Sequence, residues 1–166
     1  SGGHRLQATQ VLVPADFSSA ALVLVAASVV PGSDLRLLRV GMNPRRTGLL
    51  AALRLMGARI DEENPDEQGG EAVADLRVRH APLRGIEVPE ALVPDMIDEF
   101  PALFVAAALA QGETVVRGAA ELRVKESDRI AVTAAGLQAL GARIHETPDG
   151  AVIQGGALHG GQADSH

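Results

Sequence analysis

Apolar residues along this chain fall into short runs with strand-like spacing and longer runs with helical spacing. The short runs are closed by glycine, proline or charged residues, which is typical of β-strands. The predicted strands cover residues 5–13, 35–40, 58–60, 74–78 and 85–88. The third of them runs into residues 61–70, an acidic, glycine-containing segment that we interpret as a solvated loop. Because helical runs lie between the strands, the pattern predicts an α+β fold.

Helical spacing is clearest in three places. Residues 20–30 are apolar nearly all round, with Asp16 or Ser18 as the cap, and this predicts a helix buried on every side. Residues 47–56 have an amphipathic pattern that stops at Gly57. A further helix is predicted from Ile130 to Gly141, preceded by a strand that ends at residues 122–124.

The pattern then repeats along the chain. Val105 lies 80 positions after Val25, and Gly112 lies 80 positions after Gly32. Residues 140–144 (LGARI) match residues 56–60 (MGARI) at a displacement of 84. We interpret this as the duplication of a βαβαββ unit, with unit 1 over about residues 14–90 and unit 2 over about 91–156. Residues 1–13 and 157–166 would be the edges of neighbouring units.

Composition limits the core and the partners. Apolar residues make up 46% of the 166 residues but aromatic residues only 2%, so the core must be built from small aliphatic side chains. The absence of cysteine excludes disulfides and thiolate metal sites. The net charge of −6 argues against a general nucleic-acid binder. No apolar run reaches the roughly 18 residues that span a bilayer, so we expect a cytoplasmic protein without a membrane partner.

A charged turn is the strongest candidate for chemistry. Five charged residues lie between positions 123 and 129, where a strand end was predicted to meet a helix start. Backbone amides at a helix start point outward and can hold an anion. Lys125, Glu126 and Arg129 are therefore candidates for binding a phosphorylated substrate. The alternative is that Ser127 and Asp128 are ordinary helix-start residues and that the turn has no function.

The duplication separates structural residues from candidate functional ones. At a displacement of 80, Ser18 corresponds to Asp98, and at 84, Met42 corresponds to Glu126. Both copies need the same caps and core, but only one copy needs catalytic groups. The two acids present only in the second copy are therefore candidates for function, with helix capping as the alternative.

Residues 122–129 (LRVKESDR) resemble the signature of the EPSP synthases, the enzymes that make 5-enolpyruvylshikimate 3-phosphate. Four other segments resemble the same family: 15–20 (ADFSSA), 42–48 (MNPRRTG), 74–78 (ADLRV) and 96–101 (MIDEFP). Those at 42–48 and 96–101 look like the class II branch, which is often glyphosate-tolerant.

The resemblance implies an enzyme of the shikimate pathway, which leads to the aromatic amino acids. Such an enzyme transfers the enolpyruvyl group of phosphoenolpyruvate to the 5-hydroxyl of shikimate 3-phosphate and releases phosphate. It also implies the enolpyruvyl transferase fold, an inside-out α/β barrel. There, each of two domains holds three βαβαββ units, with mixed sheets packed around buried helices, and substrates bind between the domains. The 166 residues would be a fragment of one such domain.

Roles for four residues follow from the resemblance. Asp98 matches the group that takes the proton from the attacking hydroxyl, and Glu126 the acid that protonates the methylene carbon of phosphoenolpyruvate. Lys125 matches a position near the shikimate ring oxygens, and Arg129 an arginine that grips phosphoenolpyruvate. No metal or cofactor is implied, and glyphosate is a candidate inhibitor.

Several family features are not found in these residues. Glu121 stands where some members have an asparagine that contacts the sugar phosphate, so that contact is not assigned. The Lys-Ser, Asn-Ala-Gly and Asp-His-Arg motifs are missing from the sequence. We therefore expect the remainder of the same enzyme as a partner, and no turnover by this chain alone. Asp16 and Arg45 have family counterparts, but we interpret them as a helix cap and a surface or inter-helix ion pair.

Two alternatives remain at this point. One is half of the related enzyme that transfers enolpyruvyl to UDP-N-acetylglucosamine on the same fold. Competition between shikimate 3-phosphate and the UDP-sugar would distinguish the two enzymes. The other is a non-catalytic binding or assembly domain, which would restore no activity when the missing half is supplied.

Overall fold

A computed structural model describes residues 12–162 together with Gly3, Ala8 and Gln10. The strand predicted over residues 5–13 lies mostly outside the described residues. Four α-helices and six strands follow in the order α1, β1, α2, β2, β3, α3, β4, α4, β5, β6. The helices are α1 Phe17–Val29, α2 Gly48–Leu55, α3 Phe100–Leu109 and α4 Arg129–Ala139. The strands are β1 Asp34–Gly41, β2 Arg59–Gln68, β3 Glu71–Arg79, β4 Glu113–Val116, β5 Arg143–Thr147 and β6 Gly150–Gln154.

The six strands form two three-stranded sheets with the same connectivity. The strand order is β1-β3-β2 in the first sheet and β4-β6-β5 in the second, and all these pairs are antiparallel. A parallel bridge joins each sheet to the segment that precedes it, Ala15 to Val40 in the first and Glu87 to Val115 in the second. The two copies of one strand order confirm the predicted α+β class with a repeated unit, in which the first strand of each copy is reduced to that bridge.

The turn after the amphipathic helix is the same in both copies. In the first copy Gly57 has a φ of 93°, and the Ala58 amide donates to the Leu53 carbonyl at 2.9 Å. In the second copy, 84 positions on, Gly141 has a φ of 91° and the matching bond is 3.0 Å long. A positive φ favours glycine, and this bond to a carbonyl five residues back closes the helix end. The repeated MGARI and LGARI segments thus mark the same turn.

Helices α1 and α3 form the centre of the core. α3 buries Phe100 and Phe104, whose rings meet edge to face with centroids 6.3 Å apart. α1 buries Phe17 and Leu24 but leaves a face open, where Leu22 is 63% exposed. The prediction that α1 is buried on every side is therefore wrong, because none of the described elements covers that face. No described helix is long and apolar enough to cross a membrane.

The acidic segment predicted as a loop is a strand. Residues 61–68 belong to β2, which pairs with β3 through a turn at Gly69 and Gly70. The acids of this strand are bound by arginines of neighbouring elements, Glu62 by Arg54 at 2.8 Å and Glu63 by Arg36 at 3.1 Å. The loop interpretation failed because residues 61–68 lack the apolar alternation typical of a strand, whereas pairing with β3 and the arginines of neighbouring elements stabilise the acidic strand.

Two predicted strands are not strands. Residues 85–88 make a single isolated parallel bridge, from Glu87 to Val115, before Pro89, which cannot continue a ladder because it lacks an amide hydrogen. The segment Ala120–Val124 is a 3₁₀-helix rather than a strand end. Leu122 is buried while Val124 is 79% exposed, so the two residues do not share the single face that a strand would give them.

The core can be tested with two leucines of α2. Leu53 is fully buried, whereas Leu55 is 56% exposed. We expect Leu53→Ala to lower the free energy of unfolding by about 2–5 kcal/mol, because it removes packed atoms and leaves a cavity. Leu55→Ala should change it by less than about 0.5 kcal/mol, as for other surface positions. Urea denaturation followed by circular dichroism measures both, and equal losses would contradict the described packing.

Candidate active site

The charged turn lies between the 3₁₀-helix Ala120–Val124 and α4. Asp128 is the N-cap of α4, and its carboxylate accepts the Ala131 amide at 2.9 Å. Arg123 links the turn to β5, because its guanidinium donates to Asp128 and to Glu146 at 2.8 Å each. The Ala131 amide, followed by the Arg123 guanidinium, holds the pKa of Asp128 below its ordinary value. The cap and Arg123 together set the position of residues 125–129.

A second segment places Asp98 beside this turn. The 3₁₀-helix Pro94–Met96 leads through Asp98 into α3. The start of α2 packs closely on this segment, because a Cβ on Gly48 would lie 2.8 Å from the Leu92 carbonyl oxygen and 3.0 Å from that of Asp95. Glycine at position 48 therefore allows the first unit to support the segment that carries Asp98.

Arg129 joins the two candidate acids. Its Nη1 donates to Asp98 Oδ1 at 2.9 Å, and its Nη2 donates to Glu126 Oε2 at 3.2 Å. The Arg129 side chain is 29% exposed, whereas those of Asp98 and Glu126 are 54% and 83% exposed. A planar guanidinium with a fixed fork of donors suits such a shared contact. Two acids 28 positions apart thus meet over one cation on an accessible surface.

Lys125 completes the cluster. Its ammonium binds Glu121 Oε1 at 2.7 Å, one helical turn back in sequence. The hydrogen bond to Glu121 is the main cause that raises the pKa of Lys125, and the charge of Asp98 acts in the same direction while Arg129 opposes it. Lys125 is therefore protonated at neutral pH, within the electrostatic reach of both Asp98 and Arg129.

Glu126 is held in its ionised form. Its own backbone amide, followed by the Arg129 guanidinium, holds the pKa of Glu126 below its ordinary value. A carboxylate in this state is a base. It can act as an acid only after a change in its surroundings raises its affinity for a proton.

The structure brings Asp98, Glu126, Lys125 and Arg129 into one cluster, and neither acid caps a helix. Asp128 caps α4, and the side chain of Glu99, at the N-cap position of α3, makes no capping hydrogen bond. The simple capping alternative for Asp98 and Glu126 therefore does not describe their contacts. Their catalytic and binding roles stay predictions.

Asp16 and Arg45 match the plainer interpretation. Asp16 caps α1 by accepting the Ser19 amide at 2.8 Å. Arg45 is largely exposed and lies 3.6 Å from Asp95. Such exposed pairs contribute little to stability.

Sequence reasoning missed several residues that shape the cluster. Glu121 departs from the family pattern in the sequence, but in the structure it is the partner of Lys125. Arg123 is one of five charges in the turn, and it also donates to the Thr147 carbonyl at 2.5 Å. The sequence pattern does not distinguish Glu99 from its neighbours. A signal existed for Glu121, because Glu and Lys four positions apart pair on a helical turn.

The cluster lies on an open surface. Asp98 borders a cavity of only about 40 Å³. A larger cavity of about 480 Å³, lined by Leu38, Asn64 and Asp75 among others, contains none of the four cluster residues. No group of three or more metal-ligating side chains occurs within the described part of the chain. The small cavity at Asp98 is too small to enclose a drug-sized ligand by itself.

Comparisons with known proteins agree on one family. The sequence model described as EPSP synthase (3-phosphoshikimate 1-carboxyvinyltransferase) matches residues 1–166. The chain is 71% identical to the 3-phosphoshikimate 1-carboxyvinyltransferase of Xanthomonas euvesicatoria pv. vesicatoria over 165 residues, covering 99% of this chain and 38% of that protein. The Xanthomonas oryzae protein of the same name is 70% identical with the same coverage. The chain thus spans 38% of the length of these curated relatives.

Solved structures give the same result. An EPSP synthase from Acinetobacter baumannii superposes with a TM-score of 0.90 at 51% identity, covering 93% of this chain and 35% of that one. The enolpyruvyl transferase NikO from Streptomyces tendae superposes with a TM-score of 0.56 at 19% identity, covering 82% of this chain and 29% of that one. The second likeness shows the fold alone.

The Arg129 bridge makes a prediction about Glu126. We expect Arg129→Ala to raise the pKa of Glu126 toward its ordinary value, because a stabilising positive charge is removed from the carboxylate. The shift should be partial, since the Glu126 backbone amide remains. A ¹³C NMR titration of the Glu126 carboxyl measures it. Arg117→Ala, which removes a cation paired with Glu87 instead, should leave the Glu126 titration unchanged. An unchanged Glu126 titration in Arg129→Ala would contradict the bridge.

Proposed function

The chain belongs to the EPSP synthase family, and on that basis we propose that it supplies one wall of an enolpyruvyl transferase active site. The reaction joins phosphoenolpyruvate to the 5-hydroxyl of shikimate 3-phosphate and releases inorganic phosphate. The observation that carries the proposal is the Arg129 guanidinium shared by Asp98 and Glu126, with the Lys125 ammonium beside them.

The first step needs a base at the attacking 5-hydroxyl and an acid at the methylene carbon of phosphoenolpyruvate. The 5-hydroxyl oxygen bonds to C2 of phosphoenolpyruvate while its proton passes to Asp98. A proton from Glu126 reaches the C3 methylene carbon, which becomes a methyl group. The product of this step is a tetrahedral adduct that still carries the phosphate. Positioned acid and base groups each contribute about 10²–10⁴-fold to such proton transfers.

The second step reverses the proton transfer at carbon. A methyl proton returns to Glu126, the C2–C3 double bond forms again, and the C2–O bond to phosphate breaks. Inorganic phosphate leaves with the electron pair of that bond and takes up the proton that Asp98 accepted in the first step, which restores the Asp98 carboxylate. The enolpyruvyl ether remains on the 5-oxygen. Lys125 and Arg129 would stabilise the negative charge of the substrates during both steps.

Arg129 would also switch Glu126 from base to acid. Without substrate, Arg129 is one of the causes that hold the pKa of Glu126 below its ordinary value. An anionic phosphoenolpyruvate that takes over the Arg129 donors removes part of this stabilisation and adds a negative charge nearby. Both changes raise the pKa of Glu126 and favour the protonated form that the addition step requires.

The rest of the site would come from outside these residues. In this family the substrates bind between two domains, and the chain spans 38% of the relatives' length. The open cluster and the cavity of about 40 Å³ at Asp98 are consistent with a site that needs a second wall. We assign residues 14–90 and 91–156 to the two repeated units, with 1–13 and 157–166 as edges of neighbouring units. The remainder of the enzyme, glyphosate as an inhibitor and a cytoplasmic location stay predictions.

The 166-residue chain alone should not catalyse the reaction. We expect incubation with shikimate 3-phosphate and phosphoenolpyruvate to release no phosphate above a buffer blank, because the second wall of the proposed site is not supplied. A colorimetric phosphate assay measures this. Turnover well above the blank would show that these residues are sufficient.

A chimera tests the function itself. This chain would replace the matching 165-residue segment of the Xanthomonas euvesicatoria relative, to which it is 71% identical. We expect phosphate release that depends on both substrates, and a fall in kcat of about 10²–10⁴-fold in Asp98→Asn and Glu126→Gln, because each removes a proton-transfer group. Glu113→Gln, in β4, serves as a control for loss of an acid. An inactive chimera would favour a non-catalytic domain, and preference for a UDP-sugar acceptor would favour the related transferase.

A further inference from the structure

Glu99 is a buried carboxylate that the proposed reaction does not use. Its side chain follows directly on Asp98 in sequence, yet the residue is only 5% exposed while Asp98 is open to solvent. Glutamate is almost never this buried unless it is bound by a specific partner. The position and burial of Glu99 therefore call for an explanation.

The partner of Glu99 lies in the other repeated unit. Glu99 stands at the N-cap position of α3, but its side chain does not cap that helix. Instead, Ser18 in the first turn of α1 donates its hydroxyl hydrogen to Glu99 Oε1, across 81 positions of sequence. Ser18 in turn accepts a hydrogen bond from Arg46 Nη2 at 3.0 Å. A continuous chain of donors thus runs from Arg46 through Ser18 to Glu99.

This contact joins the N-terminal ends of two core helices. Ser18 belongs to the first turn of α1, and Glu99 precedes the first residue of α3. Both helix N-termini carry partial positive charge, which favours a carboxylate placed between them. The Glu99 backbone also takes part, since its amide donates to the Met96 carbonyl at 3.0 Å and its carbonyl accepts from the Leu103 amide at 3.0 Å. Side chain and backbone together hold residue 99 on both sides.

Burial and hydrogen bonding have opposite effects on the pKa of Glu99. Burial raises the pKa of Glu99, the hydrogen bond from Ser18 counteracts it, and the neighbouring Asp98 charge raises it further. A folded-state pKa above the unfolded value means that folding stability falls as the pH rises through the titration of Glu99. A glutamine would form the same hydrogen bond without this loss.

We propose that Glu99 is a positioning residue that holds the Asp98 carboxylate against Arg129. Consecutive side chains at this point diverge, so that Glu99, bound inward to Ser18, leaves Asp98 directed outward. Asp98 then meets Arg129 Nη1 at 2.9 Å, and Arg129 reaches Glu126. The first unit thereby contributes Ser18 and Arg46 to the geometry of acids that lie in the second. The effect of Glu99 on catalysis rests on the proposed function, whereas its effect on the Asp98–Arg129 contact does not.

The Asp98–Arg129 contact can be tested on the 166-residue chain by a measurement that does not require enzymatic activity. A guanidinium bound by two carboxylates rotates slowly, and the ¹⁵Nη signals of Arg129 in low-temperature NMR report that rotation. We expect Glu99→Ala to shift these signals to those of Asp98→Ala, in which the contact is absent. Glu99→Gln should retain the wild-type signals, because its amide oxygen accepts the Ser18 hydrogen bond. Folded Glu99→Ala with wild-type Arg129 signals, or Glu99→Gln that behaves like Glu99→Ala, would overturn the proposal.

Ser18→Ala carries the test if Glu99→Ala does not fold. This variant removes the donor but keeps the carboxylate, and we expect its Arg129 signals to shift in the direction of Asp98→Ala. The matched control is Ser28→Ala in the same helix, whose hydroxyl donates only to the Leu24 carbonyl at 2.7 Å and which is fully buried. Ser28→Ala should leave the Arg129 signals unchanged. Ser18→Ala signals identical to those of the wild type would overturn the proposal.

Kinetics in the chimera separate positioning from general stability. We expect Glu99→Ala to lower kcat at least about tenfold with little change in the KM for phosphoenolpyruvate, because misplacement of a reacting group by about 1 Å can cost as much as about 100-fold. Glu99→Gln should restore kcat. An inactive wild-type chimera would contradict the proposed function and leave the NMR result to decide the contact. An active chimera whose Glu99→Ala variant keeps its kcat would overturn the positioning role.

Discussion

The packing of α1 against α3 is the constraint on which the rest of the structure depends. Both helices are built almost wholly from apolar residues, so each must find partners on several sides. Aromatic residues are few, so most of the side chains buried between these helices are small or aliphatic, and Phe100 and Phe104 are among the largest buried ones. The Ser18–Glu99 hydrogen bond fixes the two helices at the same end. The N-terminal ends of the core helices therefore lie side by side.

This arrangement determines where charge can be placed. The core is apolar, so charged groups lie outside it: one set pairs across the first sheet, and another lies at the helix starts and the turns that lead to them. Asp98 precedes α3, while Glu126 and Arg129 lie at the start of α4. Because the net charge is −6, binding of an anion depends on where the cations cluster and not on the total charge. The two cations of the cluster, Lys125 and Arg129, are bound by acids in this structure. In the proposed reaction, an anionic substrate would displace those acids, which would couple its binding to their protonation.

Duplication explains why one scaffold holds both a plain and a charged version of the same turn. The helix end at Gly57 and Gly141 is retained in both copies, because backbone geometry requires it in each. Sequence displacement pairs Ser18 with Asp98 and Met42 with Glu126, but the structure places Ser18 within α1 and Asp98 two residues before the start of α3. Ser18 has a structural role of its own, because its hydroxyl donates to Glu99, the residue next to Asp98. The two units are thus alike in fold and complementary in chemistry.

The sequence alone determined the features that depend on neighbours along the chain. Helical spacing located α1, α2 and α4, and the family-like segments located Asp98, Glu126, Lys125 and Arg129. Only the tertiary structure decided that β2 is a strand, that residues 120–124 form a 3₁₀-helix, and that Glu99 faces inward. The physical reason is that periodicity reports which side of an element is apolar, whereas the partner of a charged group depends on packing. The Arg129–Asp98 contact joins residues 31 positions apart, and no local pattern specifies such a pair.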